Sequence, residues 1–278
     1  MLGLPYVDVE GFKMHPHRGF DIWTYVLDGS DGFQHRDSLG KEERTYRGGT
    51  AQWMRTGSGA LHEEFWETSP DRRTNIELFQ LWVNLGSDQK MDPPAIRYLG
   101  QDSTTTNWIE RKIEHEGNTV GTVRDLTSTL QTSLDAEDWD GQGSVVRPRP
   151  PLKILHVKLD KGGAEFSLET DVHMNAVLYV REGTAKVRDM AGEEVSVKEL
   201  QSATFSHNGD FVTVRSGDKS PVDFLLMAAQ PLGEPSVQGG PIVMNTQEEL
   251  YDAYQQLQDE TFLDREYVLK QHNRRQHA

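Results

Sequence analysis

The 278-residue sequence contains no cysteine. This absence excludes a disulfide framework, a cysteine-ligated zinc site and a thiol nucleophile. A metal ion would have to be held by histidine, carboxylate and water, and the chain has 10 histidines. Long apolar runs are also missing, because the longest one covers only residues 224–229, far short of the ~20 residues that a membrane helix needs.

Positive charge is scarce as well. Lys and Arg number 29 against 44 Asp and Glu, which leaves a net charge of -15. Sequence-independent binding to the phosphate backbone depends on a surplus of Lys and Arg, so we expect no direct nucleic-acid partner. The N-terminus has no basic stretch followed by an apolar core, unlike a secretory signal. We therefore expect an intracellular protein, in the cytoplasm or the nucleus, without a membrane partner.

Short β-rich runs separated by glycine and turn residues dominate the chain. One of them, residues 22–27, ends in a strong turn cluster at residues 28–32. Many short strands with few helical patterns predict an all-β fold of sandwich or barrel type. Near the C-terminus, Thr246 and Glu249 form a capping box before an apolar stripe at helical spacing, which predicts a helix over Gln247–Gln258.

An acidic and then proline-rich stretch at residues 135–151 divides the chain. Proline fixes φ and lacks a backbone N–H, so this stretch cannot be a central strand. We predict an N-terminal barrel at 1–134, a linker at 135–151 and a second barrel at 152–245. The remaining residues, 246–278, are predicted to form the C-terminal helix and a disordered basic tail.

Two pairs of residues carry the sharpest local signal. His15 and His17 are separated by one residue, and so are His62 and Glu64. Residues i and i+2 of a strand share a face, so two such pairs on neighbouring strands would surround one ion with three imidazoles and a carboxylate. That set suits Fe(II), Mn(II), Ni(II) or Cu(II), with positions open for water or substrate. The alternative is incidental spacing, which is usual for a lone His-x-His.

A third cluster places His35, Asp37 and Ser38 close together in the sequence. These are the residue types of a hydrolase triad, but a triad needs side chains that converge in space and not neighbours along the chain. We interpret this segment as a structural turn. The second half of the chain contains no His-x-His, and we expect no second metal there.

The histidine pairs belong to longer motifs that can be compared with a known family. The motifs occupy residues 15–29, 35–40, 52–64, 80–85 and 240–246. Together they resemble the pirin family of the cupin superfamily, over nearly the whole chain. The resemblance implies two tandem cupin barrels of the jelly-roll type and one mononuclear metal, usually iron, in the N-terminal barrel. The family's ligand positions correspond to His15, His17, His62 and Glu64.

The resemblance also implies a function. Pirins are known for quercetin 2,3-dioxygenase activity, which implies a flavonol-like substrate, O₂ and Fe(II), with Glu64 as proton acceptor or ligand. Phe12 and Arg18 flank the ligands and could shape the pocket entrance, although Arg18 could instead be a structural ion-pair partner. In eukaryotes pirins are nuclear co-regulators, so the alternative is a non-catalytic metal protein that docks on a transcription factor or signalling protein. An acidic surface suits a basic protein partner.

Two features depart from the family pattern. Asp21 stands where pirins usually carry Glu, and because Glu64 serves as the ligand in the family, we expect the shorter side chain to leave the metal unaffected. His15 comes early in the chain, whereas pirins usually have a longer lead that contains the first barrel strands. Because a barrel must close or leave an exposed edge, we expect the first barrel to be short at its start.

Overall fold

The computed structural model describes residues 11–39, 43–67, 71–100, 109–128, 151–170, 173–189, 191–205 and 209–276. Antiparallel strands make up most of this part, which confirms the predicted all-β class. The chain divides into two compact units. Unit 1 comprises Met1–Thr105 and Glu234–Ala278, and unit 2 comprises Thr106–Gly233.

The first part of unit 1 consists of eight strands. They are β1 (Gly11–His17), β2 (Phe20–Val26), β3 (Phe33–Asp37), β4 (Arg44–Tyr46), β5 (Thr50–Arg55), β6 (Ala60–Trp66), β7 (Leu78–Asn84) and β8 (Ala95–Gly100). One sheet has the order β1-β6-β3-β4 and the other the order β7-β2-β5-β8. Phe33 and Tyr46 of the first sheet pack on Val26 of the second, so the two sheets enclose an apolar core between them.

Unit 2 contains the next nine strands. They are β9 (Ile109–His115), β10 (Asn118–Asp125), β11 (Leu152–Leu159), β12 (Glu165–Glu169), β13 (Asn175–Arg188), β14 (Glu194–Lys198), β15 (Ser202–Phe205), β16 (Phe211–Ser216) and β17 (Val222–Ala229). The long strand β13 pairs with β15 and β17 along its first half and with β14 and β16 along its second. The sheet therefore wraps around one core, which includes Leu178, Val214 and Phe224.

The bounds of the two units differ from the predicted domains. The sequence-based bounds place β9 and β10 in the first barrel, whereas β10 pairs with β11 along residues 121–125 and so lies in unit 2. Long-range strand pairing decides which sheet a strand joins, and position along the chain does not reveal it. The predicted linker at 135–151 lies outside the described residues except for Pro151.

The C-terminal segment returns to unit 1. It contains the hairpin of β18 (Val237–Gly239) and β19 (Ile242–Met244), although the predicted bounds place these residues in the second barrel. The backbone N–H of Val243 donates to the carbonyl of Arg18 at 3.0 Å. Gly19 permits this approach, because its φ is +87° and a Cβ there would lie 1.9 Å from the Val243 carbonyl oxygen.

Two helices close the chain, and the first is the predicted one. Helix α1 spans Gln247–Gln258 and begins with the predicted capping box between Thr246 and Glu249. The prediction of a disordered basic tail is wrong, because α2 spans Arg265–Gln276. The carboxylate of Asp264 accepts a bond from the backbone N–H of Tyr267 at the start of α2, a capping signal that the basic composition hides. In the described part of the chain, neither helix has the length and apolarity that crossing a membrane requires.

We expect the capping box of α1 to contribute to stability. Thr246 Oγ1 accepts a bond from Glu249 N at 3.1 Å, and Glu249 Oε2 accepts one from Thr246 N at 3.0 Å. We expect Thr246→Ala to lower the free energy of unfolding by about 1 kcal/mol, because it removes an N-cap acceptor. Urea unfolding measures this difference. Thr246→Ser keeps the hydroxyl and is the matched control, so an equal loss in both variants would contradict the role of the cap.

Candidate metal centre

Strand β6 lies at the centre of the site, because it pairs with β1 on one side and β3 on the other. In the β1–β6 pair His15 stands opposite His62, and in the β3–β6 pair Asp37 stands opposite the same residue. Directly opposed residues of an antiparallel pair point to the same face of the sheet. Side chains from three strands therefore meet around His62.

The three predicted histidine ligands converge on one point. Nε2 of His62 lies 3.0 Å from Nε2 of His17 and 3.0 Å from Nε2 of His15. Ligand nitrogens of all three lie within 4.8 Å of one another. His17 and His62 are buried, and His15 is partly exposed. The site is thus a half-open cluster of imidazole nitrogens, a donor set that transition metals accept.

The outer ring nitrogens show that this donor set fits a metal. Nδ1 of His15 lies 2.8 Å from the carbonyl oxygen of Lys13, and Nδ1 of His17 lies 3.2 Å from that of Pro241. A carbonyl only accepts, so both Nδ1 atoms carry the proton and donate it. In each of these neutral rings, Nε2 then carries no proton and directs its lone pair at the cluster. The third ring, that of His62, faces a side chain instead of a carbonyl.

The electrostatics of the cluster favour neutral imidazoles. Burial, followed by the neighbouring His15 ring, lowers the pKa of His17 to about 4. Burial and the surrounding imidazoles also hold the pKa of His62 far below its ordinary value. The neutral form is the one that binds a metal, so these two rings need not lose a proton to bind an ion at neutral pH.

Glu64, the predicted fourth ligand, lies outside this histidine cluster. It is buried, and the side-chain amide of Gln80 donates to its two carboxylate oxygens at 3.1 and 3.2 Å. Burial raises its pKa to about 7, although the Gln80 bond opposes this shift. Gln80 was missed as a site residue, although it lies in one of the family-like motifs. The role of Glu64 as a ligand stays a prediction.

Arg18 is buried and contacts the C-terminal segment. Its guanidinium donates to the Ser58 carbonyl at 2.7 Å, to Gln256 Oε1 at 2.8 Å and to the Phe262 carbonyl at 3.1 Å. The same group lies over the Phe262 ring at 4.1 Å. The contacts with Gln256 and Phe262 hold the polypeptide after β19 against the barrel and support the alternative of a structural role. Arg18 as a pocket residue stays a prediction.

Two exposed aromatic side chains stand beside the histidines. Phe12 is 56% exposed, and its ring centroid lies 6.3 Å from that of His15. Trp82, which sequence reasoning did not select, is 43% exposed, and its ring centroid lies 5.4 Å from that of His17. Exposed aromatic rings next to a donor cluster can contact a flat ligand. Phe12 as a pocket residue remains a prediction.

The interpretation of residues 35–38 as a structural turn is wrong for His35 and Asp37, which lie in β3. Both are buried, and they stand opposite Glu64 and His62 of β6, so their side chains lie on the same face of the sheet as those residues. Nε2 of His35 lies 3.2 Å from Nδ1 of His62. The missed signal is the i, i+2 spacing of two polar residues, the same spacing that marked the predicted metal ligands.

Comparison with known proteins places this geometry in a family. The family model described as "Pirin" matches residues 5–83, and the model "Pirin C-terminal cupin domain" matches residues 154–263. A pirin-like protein of Arabidopsis thaliana is 32% identical over 243 residues, which cover 86% of this chain and 71% of the relative. A Vibrio cholerae protein, provisionally assigned as a quercetin 2,3-dioxygenase, is 33% identical over 88% of this chain and 77% of its own.

A solved structure gives the same result for the fold. The crystal structure of quercetin 2,3-dioxygenase from Acinetobacter baumannii is 28% identical in sequence and superposes with a TM-score of 0.69. The alignment covers 91% of this chain and 79% of that enzyme. The described architecture is therefore that of a protein with two cupin domains.

Proposed function

The chain belongs to the pirin family, and on that premise we propose that it is a metal-dependent dioxygenase that opens the heterocyclic ring of a flavonol. In this reaction O₂ is incorporated and carbon monoxide is lost. The observation that carries the proposal is the convergence of the Nε2 atoms of His15, His17 and His62. The relatives named as quercetin dioxygenases supply the substrate class.

His15, His17 and His62 would hold a divalent metal, with Fe(II) proposed and Mn(II), Ni(II) or Cu(II) compatible with the same donors. When bound, such an ion supplies Lewis acidity that favours an ionised substrate hydroxyl, together with redox capacity toward O₂. Glu64 would be either the fourth ligand or the base. The protein positions these groups through β1 and β6, whose pairing holds the three imidazoles in place before any ion binds.

As the base, Glu64 would accept the proton of a flavonol hydroxyl. Its position supports this role, because it lies on the same face of β6 as His62 and is two residues away. Gln80 holds the carboxylate by donating to both oxygens, so the acceptor is oriented before the substrate arrives. A proton acceptor must lie within hydrogen-bond reach of the hydroxyl, directly or through one water.

The exposed aromatic side chains would bind the flat rings of the substrate. Phe12 stands opposite Glu64 in the β1–β6 pair, and Trp82 packs edge-on against His17. Together they place apolar surface on two sides of the half-open cluster. A flavonol offers hydroxyl oxygens at one end of a flat aromatic system, which suits a donor cluster bordered by aromatic rings.

The test is an aerobic quercetin assay on the metal-loaded protein, with Glu64→Gln as the matched variant. We expect the wild type to consume quercetin and to release an equal amount of carbon monoxide. If Glu64 is the base, Glu64→Gln retains the metal and loses about 10²–10⁴-fold in rate, the usual contribution of general base catalysis. If Glu64 is a ligand, metal occupancy falls as well, which elemental analysis detects.

One outcome would exclude the dioxygenase proposal. If the wild type carries stoichiometric metal but neither consumes quercetin nor releases carbon monoxide, the activity is absent while the metal site is real. That result would favour the non-catalytic regulator and would direct the search toward a basic protein partner.

A further inference from the structure

The outer nitrogen of His62 differs from those of the other two histidines in its partner. Nδ1 of His15 and Nδ1 of His17 face backbone carbonyls, which accept only. Nδ1 of His62 instead lies 3.2 Å from Nε2 of His35, and an imidazole nitrogen can either donate or accept. Whether His62 presents a lone pair to the cluster therefore depends on where His35 carries its own proton.

The surroundings of His35 decide that question on one side of its ring. The side-chain nitrogen of Gln52 lies 3.3 Å from His35 Nε2. Gln52 is oriented by Tyr46, whose hydroxyl donates to the Gln52 amide oxygen, so the NH₂ end of Gln52 faces His35. An amide NH₂ group only donates, and His35 Nε2 must therefore be an acceptor.

The contact on the other side of the His35 ring supports the same assignment, with Nε2 as an acceptor. Nδ1 of His35 lies 3.7 Å from Oδ2 of Asp37, and both side chains are buried. A ring proton on Nδ1 faces this carboxylate, whereas a lone pair there would face another acceptor. With the proton on Nδ1, the single lone pair of His35 Nε2 is shared between the Gln52 amide at 3.3 Å and Nδ1–H of His62 at 3.2 Å. Nε2 of His62 then carries no proton and directs its lone pair at His15 and His17.

We propose that His35 is a positioning residue that holds His62 in the Nδ1–H tautomer required for metal binding, with Asp37 behind it. The proposal rests on the metal site of the proposed function but not on the flavonol reaction. Hydrogen-bond partners of ligand histidines fix the ring orientation and tautomer. Here that partner is a second imidazole, located between the ligand and a carboxylate and oriented by the Tyr46–Gln52 pair.

The first test reads the tautomer directly in the metal-free wild type. Long-range ¹H–¹⁵N correlation spectra of protein labelled with ¹⁵N-histidine distinguish protonated from unprotonated ring nitrogens, and a His62→Gln spectrum identifies the His62 signals. We expect His62 and His35 both to carry the proton on Nδ1. A proton on Nε2 of His62 would overturn the proposal. This measurement needs neither bound metal nor activity, so it stands even if the proposed function fails.

The second test compares two substitutions by Ni(II) titration. His35→Phe keeps a ring but removes the acceptor, and we expect it to weaken Ni(II) binding by about 10–100-fold, as loss of such partners usually does. His35→Gln can accept the His62 proton through its amide oxygen and should bind within about threefold of the wild type. Equal affinity in His35→Phe and wild type, or equal loss in both variants, would overturn the proposal. If His35→Phe does not fold, His35→Gln and the wild-type tautomer decide the question.

Discussion

Replacing His62 with alanine is expected to abolish tight metal binding. His62 is the central member of the cluster, because its Nε2 lies 3.0 Å from the Nε2 atoms of both His15 and His17. Its loss leaves two imidazoles, and we expect affinity to fall by more than the ~10–100-fold that removal of a mere ligand partner costs. Elemental analysis after dialysis should find about one ion per wild-type chain and almost none in His62→Ala.

A thermal measurement checks the same prediction independently. A ligand present at about 1,000 times its Kd stabilises the folded state by ~4 kcal/mol, so Ni(II) should raise the unfolding temperature of the wild type and leave that of His62→Ala unchanged. His115→Ala is the matched control, because this exposed imidazole in β9 lies outside the cluster. Metal bound by His62→Ala at wild-type stoichiometry and affinity would disprove the assigned site.

The second large effect concerns stability. Replacing Asp21 with alanine is expected to lower the free energy of unfolding by about 3 kcal/mol, because it leaves a buried guanidinium without its main partner. Asp21 Oδ1 accepts from Arg55 Nε at 3.0 Å, and Oδ2 accepts from a terminal Arg55 nitrogen at 3.2 Å. Oδ2 also accepts from Trp53 Nε1 at 2.9 Å. Arg55 retains a second, more exposed partner in Asp92, which limits the loss.

Urea unfolding of the metal-free protein, followed by tryptophan fluorescence, measures this loss. Trp53 is hydrogen-bonded to Asp21, so its fluorescence reports on the sheet that contains the Asp21–Arg55 pair. Arg72→Ala is the control, since it breaks an exposed ion pair with Asp31, and exposed pairs contribute little to stability, so its loss should be much smaller. Similar losses in the two variants would show that the buried pair is not a main stabilising contact. Asp21 lies outside the histidine cluster, and the expectation that it leaves the metal unaffected stays a prediction.

Local patterns predicted those features that depend on a few neighbouring residues. The helix at Gln247–Gln258 follows from a capping box and an apolar stripe, both of which act within two turns of chain. His15 and His17 share one face of β1, as the two-residue period of a strand predicts. Such features need no knowledge of the rest of the fold.

Features that depend on strand pairing could not be predicted in the same way. Strand β10 belongs to unit 2 because it pairs with β11. Strand β19 belongs to unit 1, where the backbone N–H of Val243 donates to the carbonyl of Arg18. Composition at residues 135–151 suggests a boundary but carries no information about the partner of a strand. Hydrogen-bond ladders form between backbones whose separation in sequence is arbitrary.

The candidate site also combines features that local patterns predict with features that depend on strand pairing. The sequence by itself determined which residue types occur in pairs on one strand face, because alternation is a local property. Tertiary structure decided that β1 and β3 both flank β6, in the register that sets His15 and Asp37 opposite His62. A shift of one residue in either register would turn these side chains to the other face. For that reason His35 resembled a turn residue in the sequence, whereas in the fold it lies 3.2 Å from the ring of the proposed metal ligand His62.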